Sequence, residues 1–213
     1  MRSDRCRWRC DGAALDGVSH VILGAILAGG RSTRFGSDKA LAMIDGTTLI
    51  ERNAAALARQ VDRLVICGRD YPPYLGLADR PRPDLGPLGG LAAALHFAVT
   101  CNFSAVLSLP VDALHVPGNL IDLLGKVGPT HFREQHLIGV WPATVADALD
   151  AHLVAGNRSV RSWISACAAT SVGEPHPVGN ANSHESLRRF LQCEKRGDTE
   201  IRRTVSLMER SRL

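Results

Sequence analysis

Two polar loops, each following an apolar run, hold the residue types that could do chemistry. The first is Gly29-Gly30-Arg31-Ser32-Thr33-Arg34-Phe35-Gly36-Ser37-Asp38-Lys39, directly after Leu27-Ala28. Consecutive glycines let backbone N–H groups approach a phosphate chain, and the basic side chains offset its charge. The pattern is not G-x-x-x-x-G-K-[ST], nor is it G-x-G-x-x-G, because Gly29 and Gly30 are adjacent. A plain strand-to-loop turn competes with the phosphate reading on spacing alone. What favours the phosphate is Lys39, one of only three lysines (with Lys126 and Lys195) against 22 arginines. The second loop, Pro110-Val111-Asp112, offers a carboxylate, which is either a working group or an ordinary loop or N-cap residue.

The elements that position these loops are legible as runs and stripes. Val21 to Ala28 is a continuous apolar run, as expected of a strand buried on both faces. Thr48 and Glu51 have capping-box spacing, so a helix is predicted from there to about Gln60, with Leu49, Ile50, Leu57 and Val61 on one side. Arg63 to Cys67 reads as a second strand. Leu88, Leu91, Ala92, Leu95, Ala98 and Val99 form a helical stripe after the turn Gly86-Pro87-Leu88-Gly89-Gly90. Ser104 to Leu109 is a third strand, followed by a short helix at Asn119–Leu124 and a strand at Leu137–Trp141. Helices are predicted at Ala143–Leu153, Ser159–Ala168 and Ser183–Gln192. Strands alternating with helices imply right-handed βαβ units and a mostly parallel sheet in an α/β, Rossmann-like, three-layer domain. Ligands of such sheets bind beyond the carboxyl ends of the strands, where both polar loops fall.

Composition narrows the class. The chain has 213 residues, 45% hydrophobic and 22% charged, which suits one globular domain and not a disordered chain. The expected organisation is a loosely ordered N-terminal extension at 1–18, a single folded domain at 19–193 and a charged tail at 194–213. The net charge of +4 divides into +3 on residues 1–10, +2 on 194–213 and −1 on everything between. A nucleic-acid binder gathers basic charge on a folded face, so that class is disfavoured. No apolar run reaches the roughly 18 residues of a membrane span. Six cysteines without C-x-x-C pairing argue against zinc and for a cytoplasmic thiol population.

Leu27 through Leu41 resembles the opening L-A-G-G-x-S-x-R-[MF]-G-x-D-K-A-L of the molybdenum cofactor nucleotidyltransferases, at every specified position. The likeness continues over residues 20–192: Asp79 seven residues before Gly86-Pro87-Leu88-Gly89-Gly90, then Pro110-Val111-Asp112, Gly156-Asn157-Arg158-Ser159-Val160 and Asn180-Ala181-Asn182-Ser183. The resemblance makes 19–193 a nucleotidyltransferase domain of the nucleotide-diphospho-sugar transferase type. It implies transfer of GMP from GTP onto the terminal phosphate of molybdopterin, with Mg²⁺ assisting and pyrophosphate leaving. Gly30, the second glycine of L-A-G-G, points to the guanylyl branch (the molybdenum cofactor guanylyltransferases) over the cytidylyl one. It further implies nucleotide contacts from Leu27, Ala28, Gly29, Gly30, Arg34, Lys39, Asp79 and Asp112. Lys39, helped by Arg34 or Arg31, would neutralise phosphate, and Asp112 would hold Mg²⁺, which keeps waters and takes one or two carboxylates. Asp79 would meet the base or ribose. Asn182 is either a metal or phosphate ligand or a cap of the last helix, for which Ser183 is better placed. His136 and Arg158 are candidates for the pterin phosphate, with packing and surface charge as rival readings. His96, on the apolar stripe, is expected to be a hydrogen-bonded core histidine. GTP and molybdopterin are the implied substrates, with a molybdoenzyme or its chaperone as a further partner.

The chain departs from that pattern at three places. Pro110-Val111-Asp112-Ala113-Leu114 lacks the second proline of P-C-D-x-P, so the turn it makes is expected to be lost. The segment from Asn180 to Leu187 lacks a proline and one acid. The family's asparagine after the second strand falls near Ile66. Two alternatives stay open: a transferase of the same fold using CTP or a sugar phosphate, and a non-catalytic carrier that delivers the cofactor.

Overall fold

The computed structural model describes residues 21–29 and 38–181. Its centre is β1 (Ile22–Leu27), flanked by β4 (Arg63–Cys67) and β6 (Ala105–Pro110), both parallel to it. Before β4 come a hairpin, β2 (Met43–Ile44) with β3 (Thr47–Thr48), and helix α1 (Leu49–Ala58). Then follow β5 (Leu75–Leu77), helix α2 (Pro87–Thr100) and, after β6, β7 (Ala113–Leu114) and α3 (Leu120–Leu124). The second half adds β8 (Thr130–Phe132), β9 (Gly139–Pro142), α4 (Ala146–Val154), α5 (Val160–Ala166), β10 (Thr170–Val172) and β11 (Gly179–Asn180). The large sheet runs β10-β8-β9-β6-β1-β4-β5. Only β9 is antiparallel to its neighbours, β6 and β8. The α/β, mostly parallel, three-layer expectation holds.

Alternation along β1 explains the layers. Leu23, Ala25 and Leu27 pack on one face under α2, α4 and Trp163 of α5. Ile22, Ile26 and Ala28 pack on the other with Ile50, Ala54 and Leu57 of α1 and with Leu120 and Leu124 of α3. Gly24 faces α1, where a Cβ would lie 2.8 Å from Val61 and 2.9 Å from Leu64. The glycine is what lets the chain after α1 settle on the strand.

The capping box forms as expected. Thr48 Oγ1 accepts from the Glu51 N–H, and Glu51 accepts from the Thr48 N–H at 2.9 Å. The α2 stripe is buried from Leu88 to Ala98, but Val99 is half-exposed, so the stripe ends one residue earlier than its period suggests. The predicted helix at Ala143 opens with one 3-10 turn and becomes α4 only at Ala146. The predicted strand at Leu137 begins at Gly139, because Leu137 belongs to the loop before it. The helix expected at Ser183–Gln192 lies outside the described residues, as do the extension at 1–18 and the tail at 194–213. No helix among the described residues is long and apolar enough to cross a membrane.

Candidate active site

Register sets the site. Leu27 pairs with Cys67 on one side and Pro110 on the other, so three parallel strands end level. The residues that follow them, Ala28-Gly29, Gly68-Arg69 and Val111-Asp112, come out at one edge of the sheet. Of these, Ala28, Gly29, Arg69, Val111 and Asp112 border an open cleft of about 240 Å³, lined also by Asp38, Lys39, Pro87 and Leu137.

Beside this cleft two backbone segments approach closely. Gly68 has φ +88°, and a Cβ there would lie 2.2 Å from Gly29 Cα and 2.5 Å from Gly29 N. The Ala28 N–H donates to Cys67 O at 2.9 Å, and the Gly68 N–H to Leu77 O at 2.7 Å. Two glycines in contact thus hold the first loop against the end of β4. Asp79 stands beside them: a Cβ on Gly89 would lie 3.0 Å from its carboxyl, and one on Gly29 3.7 Å. Burial raises the Asp79 carboxyl above its usual range, the Leu85 N–H opposes this, and the charge on Asp84 adds to it. Below Gly90, burial and the Asp79 charge push the Cys67 thiol up to about 12, so it stays protonated and unreactive.

Lys39 and Asp112, 73 residues apart, meet across the cleft with Nζ 2.6 Å from Oδ2. Their side chains are 19% and 18% exposed. Lys39 is placed by a 3-10 turn, Lys39–Leu41, that Asp38 caps by accepting the Ala40 N–H at 3.1 Å. Asp38 is gripped in turn by Arg69, which donates to its two oxygens at 2.7 and 3.0 Å and to Ala28 O at 3.3 Å. The Arg69 guanidinium holds the Asp38 carboxyl below its usual range. Sequence reasoning does not single out Arg69; it follows β4 as one of 22 arginines, and nothing local marks it.

Asp112 sits on a turn at Val111–Asp112, so the turn expected to be lost with the missing proline is present. The Val111 N–H donates to Leu27 O at 3.1 Å, and the Ala181 N–H to Asp112 O at 2.9 Å. Beyond it, β7 pairs antiparallel with β11. Across the cleft, Leu137 is fixed by a buried relay: Trp141 Nε1 donates to Ser108 Oγ at 2.8 Å, and Ser108 donates to Leu137 O at 2.6 Å. Burying the Ser108 hydroxyl is tolerable because it both gives and receives.

Of the remaining sequence candidates, His136 is half-buried in the β8–β9 loop beside Leu137, its ring 5.4 Å from that of His131. Burial lowers its pKa, with His131 and Arg161 acting the same way and Glu134 and Glu174 opposing. Arg158 is exposed between α4 and α5 and does not line the cleft. His96, expected to be a hydrogen-bonded core histidine, is instead half-buried on α2, with Nε2 2.8 Å from Asp150 of α4. Gly30, Arg31, Arg34 and Asn182 lie outside the described residues.

A carboxylate already bearing an ammonium is a place that holds a cation, and one such group suits Mg²⁺, which completes its shell with water and phosphate. No cluster of three His, Cys, Asp or Glu capable of holding a metal occurs among the described residues. Among the described residues the donor set is that one carboxylate, which fits a hard ion that completes its shell with ligands from outside the protein.

The sequence pattern of the MobA-like NTP transferase domain matches residues 24–208. The chain is 32% identical over 179 residues to the molybdenum cofactor guanylyltransferase of Rhodobacter capsulatus, covering 79% of this chain and 94% of that one. It is 34% identical over 182 residues to that of Cereibacter sphaeroides, with the same coverage. Among solved structures, 2-C-methyl-D-erythritol 4-phosphate cytidylyltransferase from Thermus thermophilus superposes with a TM-score of 0.63 at 13% identity. That match covers 81% of this chain and 98% of that one, and it is a likeness of fold.

Proposed function

The chain belongs to the MobA-like NTP transferase family, and from that premise we propose that it transfers GMP from GTP to molybdopterin, releasing pyrophosphate. The observation that carries the reading is the Lys39–Asp112 pair in a cleft at the level ends of three parallel strands. The names of relatives at 32% and 34% identity, both guanylyltransferases, favour GTP over CTP or a sugar phosphate.

Nucleotidyl transfer needs little covalent help from protein; it needs two anions held in line and their charge offset. A phosphate oxygen of molybdopterin attacks the α-phosphorus of GTP. A new P–O bond forms as the bond to the β-phosphate breaks, and pyrophosphate leaves with the electron pair. Gly29 presents backbone at close range because nothing projects from it or from Gly68. Lys39 turns its ammonium from Asp112 toward the phosphates. Asp79, partly desolvated beside Gly29 and Gly89, accepts hydrogen bonds from the guanine N–H edge. We propose Asp112 as the Mg²⁺ ligand, with Asn182 as a second; the ion would supply charge neutralisation at the phosphates. The Arg69–Asp38 clasp keeps the lysine turn and the end of β4 in fixed relation.

Pyrophosphate release measured with GTP, CTP, ATP and UTP, each with and without molybdopterin, tests this. Release is expected with GTP and molybdopterin together. Release with CTP alone among the four would assign the sibling chemistry. Cofactor binding without release from any of them would make the protein a carrier.

A further inference from the structure

Helix α1 and the turn that ends it carry two amide side chains seven residues apart, Asn53 and Gln60, both bonded to the connection after β6. Asn53 is 4% exposed, and its Nδ2 donates both hydrogens: to Val111 O at 2.8 Å and to Ala113 O at 3.1 Å. These carbonyls belong to the residues immediately before and after Asp112. Gln60 grips the far end of the same connection, donating to Pro117 O at 3.0 Å and accepting the Leu120 N–H at 2.6 Å.

We propose that Asn53 is a positioning residue for the transfer reaction: its amide fixes the turn that aims the Asp112 carboxylate at the substrate phosphates. The inference rests on the functional reading above and adds to it a residue remote from the substrate. A side chain on a turn with free carbonyls could rotate with the peptide planes on either side of it. Asn53 restrains that freedom: one N–H holds Val111 O, in the peptide plane that enters Asp112, and the other holds Ala113 O, one plane beyond the Asp112–Ala113 peptide. The carbonyl of that peptide takes the Ala181 N–H, so rotation at Asp112 strains a bond on either side. An unmade hydrogen bond at such a buried group is costly, so the two bonds hold together. Side-chain placement errors near 1 Å are enough to lower rates about a hundredfold. Gln60 provides the comparison: it holds the same connection but lies away from Asp112.

The test uses the full chain with Asn53→Leu, which keeps the volume and removes both donors, beside Gln60→Met and Asp112→Ala. Asn53→Leu is expected to lower kcat for pyrophosphate release at least tenfold with KM for GTP within twofold. It is also expected to speed hydrogen exchange of the Ala181 amide, which bonds Asp112 O, about tenfold. Gln60→Met is expected to leave both near wild type while loosening the Leu120 amide. The proposal is overturned by Asn53→Leu kcat within twofold of wild type, by a parallel fall in Gln60→Met, or by a kcat loss with unchanged Ala181 exchange. Should the leucine variant not fold, Asn53→Ser, with one donor left, is read by the same criteria and should show a partial loss. Wild-type turnover in Asp112→Ala would remove the functional reading itself and the proposal with it; an inactive Asp112→Ala beside an unaffected Asn53→Leu would sink the proposal alone.

Discussion

An ammonium and a carboxylate 2.6 Å apart, their side chains 19% and 18% exposed beside an open cleft, form a largely buried pair whose ammonium can turn to an anion of higher charge. In the proposed function a triphosphate is that anion. Lys39→Ala is therefore expected to lower kcat/KM for GTP by roughly a hundredfold or more, the scale of losing one preorganised charge at a transferring phosphoryl group, as steady-state pyrophosphate release would show. Lys39→Arg, whose fork is longer and planar, should recover only part of it. Asp79 makes the opposite case, a residue whose proposed nucleotide contact costs stability. Burial raises its carboxyl, so the folded protein keeps a proton there that the unfolded chain has already lost. Its contribution is thus most favourable at low pH, and stability falls as pH rises through the folded-state pKa. Asp79→Asn should raise Tm at pH 7 by less than about 3 °C, since the group is only partly buried, and the gain should shrink toward pH 4. Nucleotide titration should show the same variant at least tenfold weaker for GTP. A lower Tm at pH 7 would contradict this account of Asp79.

The elements act through how closely they can be laid together. Gly68 and Gly29 bring the turn after β4 against the loop after β1, with no room for a methyl group between them. Gly68→Ala should cost about 3 kcal/mol, since left-handed backbone strain adds to a clash against backbone that cannot swing away. Gly156, at φ +89° with nothing within 4 Å of a built Cβ, meets only the strain; Gly156→Ala should cost about 1 kcal/mol. Urea unfolding of the two variants separates packing from conformation, and equal losses would show that the contact between the two glycines carries no weight. Long elements are readable from the chain. β1, β4 and β6 announce themselves by continuous apolar runs, and α1 and α2 by a capping box and a stripe. β5, β8 and β10 are three residues each, too short for a period to show, and pattern reading passes over them. Their pairing is decided by the neighbours they meet and not by their own residues.

At the scale of the molecule, the fold's work is to close sequence distance. Parallel strands of matched register bring Lys39 and Asp112 together over 73 positions, a convergence that follows from loops at the carboxyl ends of adjacent strands. Lys39 and Asp112 are legible because a motif marks them. Arg69 and Asn53 are not, because their partners, Asp38 and the carbonyls beside Asp112, lie 31 or more positions away and no local pattern signals the bond. The turn at Asp112 is present without the proline for the same reason: bonds to distant partners, Asn53 of α1, Leu27 of β1 and Ala181, hold its backbone. The most direct measurement of the whole account follows the α-phosphorus. With α-labelled GTP, molybdopterin and Mg²⁺, the label should appear in a pterin dinucleotide in a one-to-one ratio with pyrophosphate. The reaction should be lost in Asp112→Ala. Label remaining entirely in GTP with the wild-type protein, or moving equally well in Asp112→Ala, would contradict it.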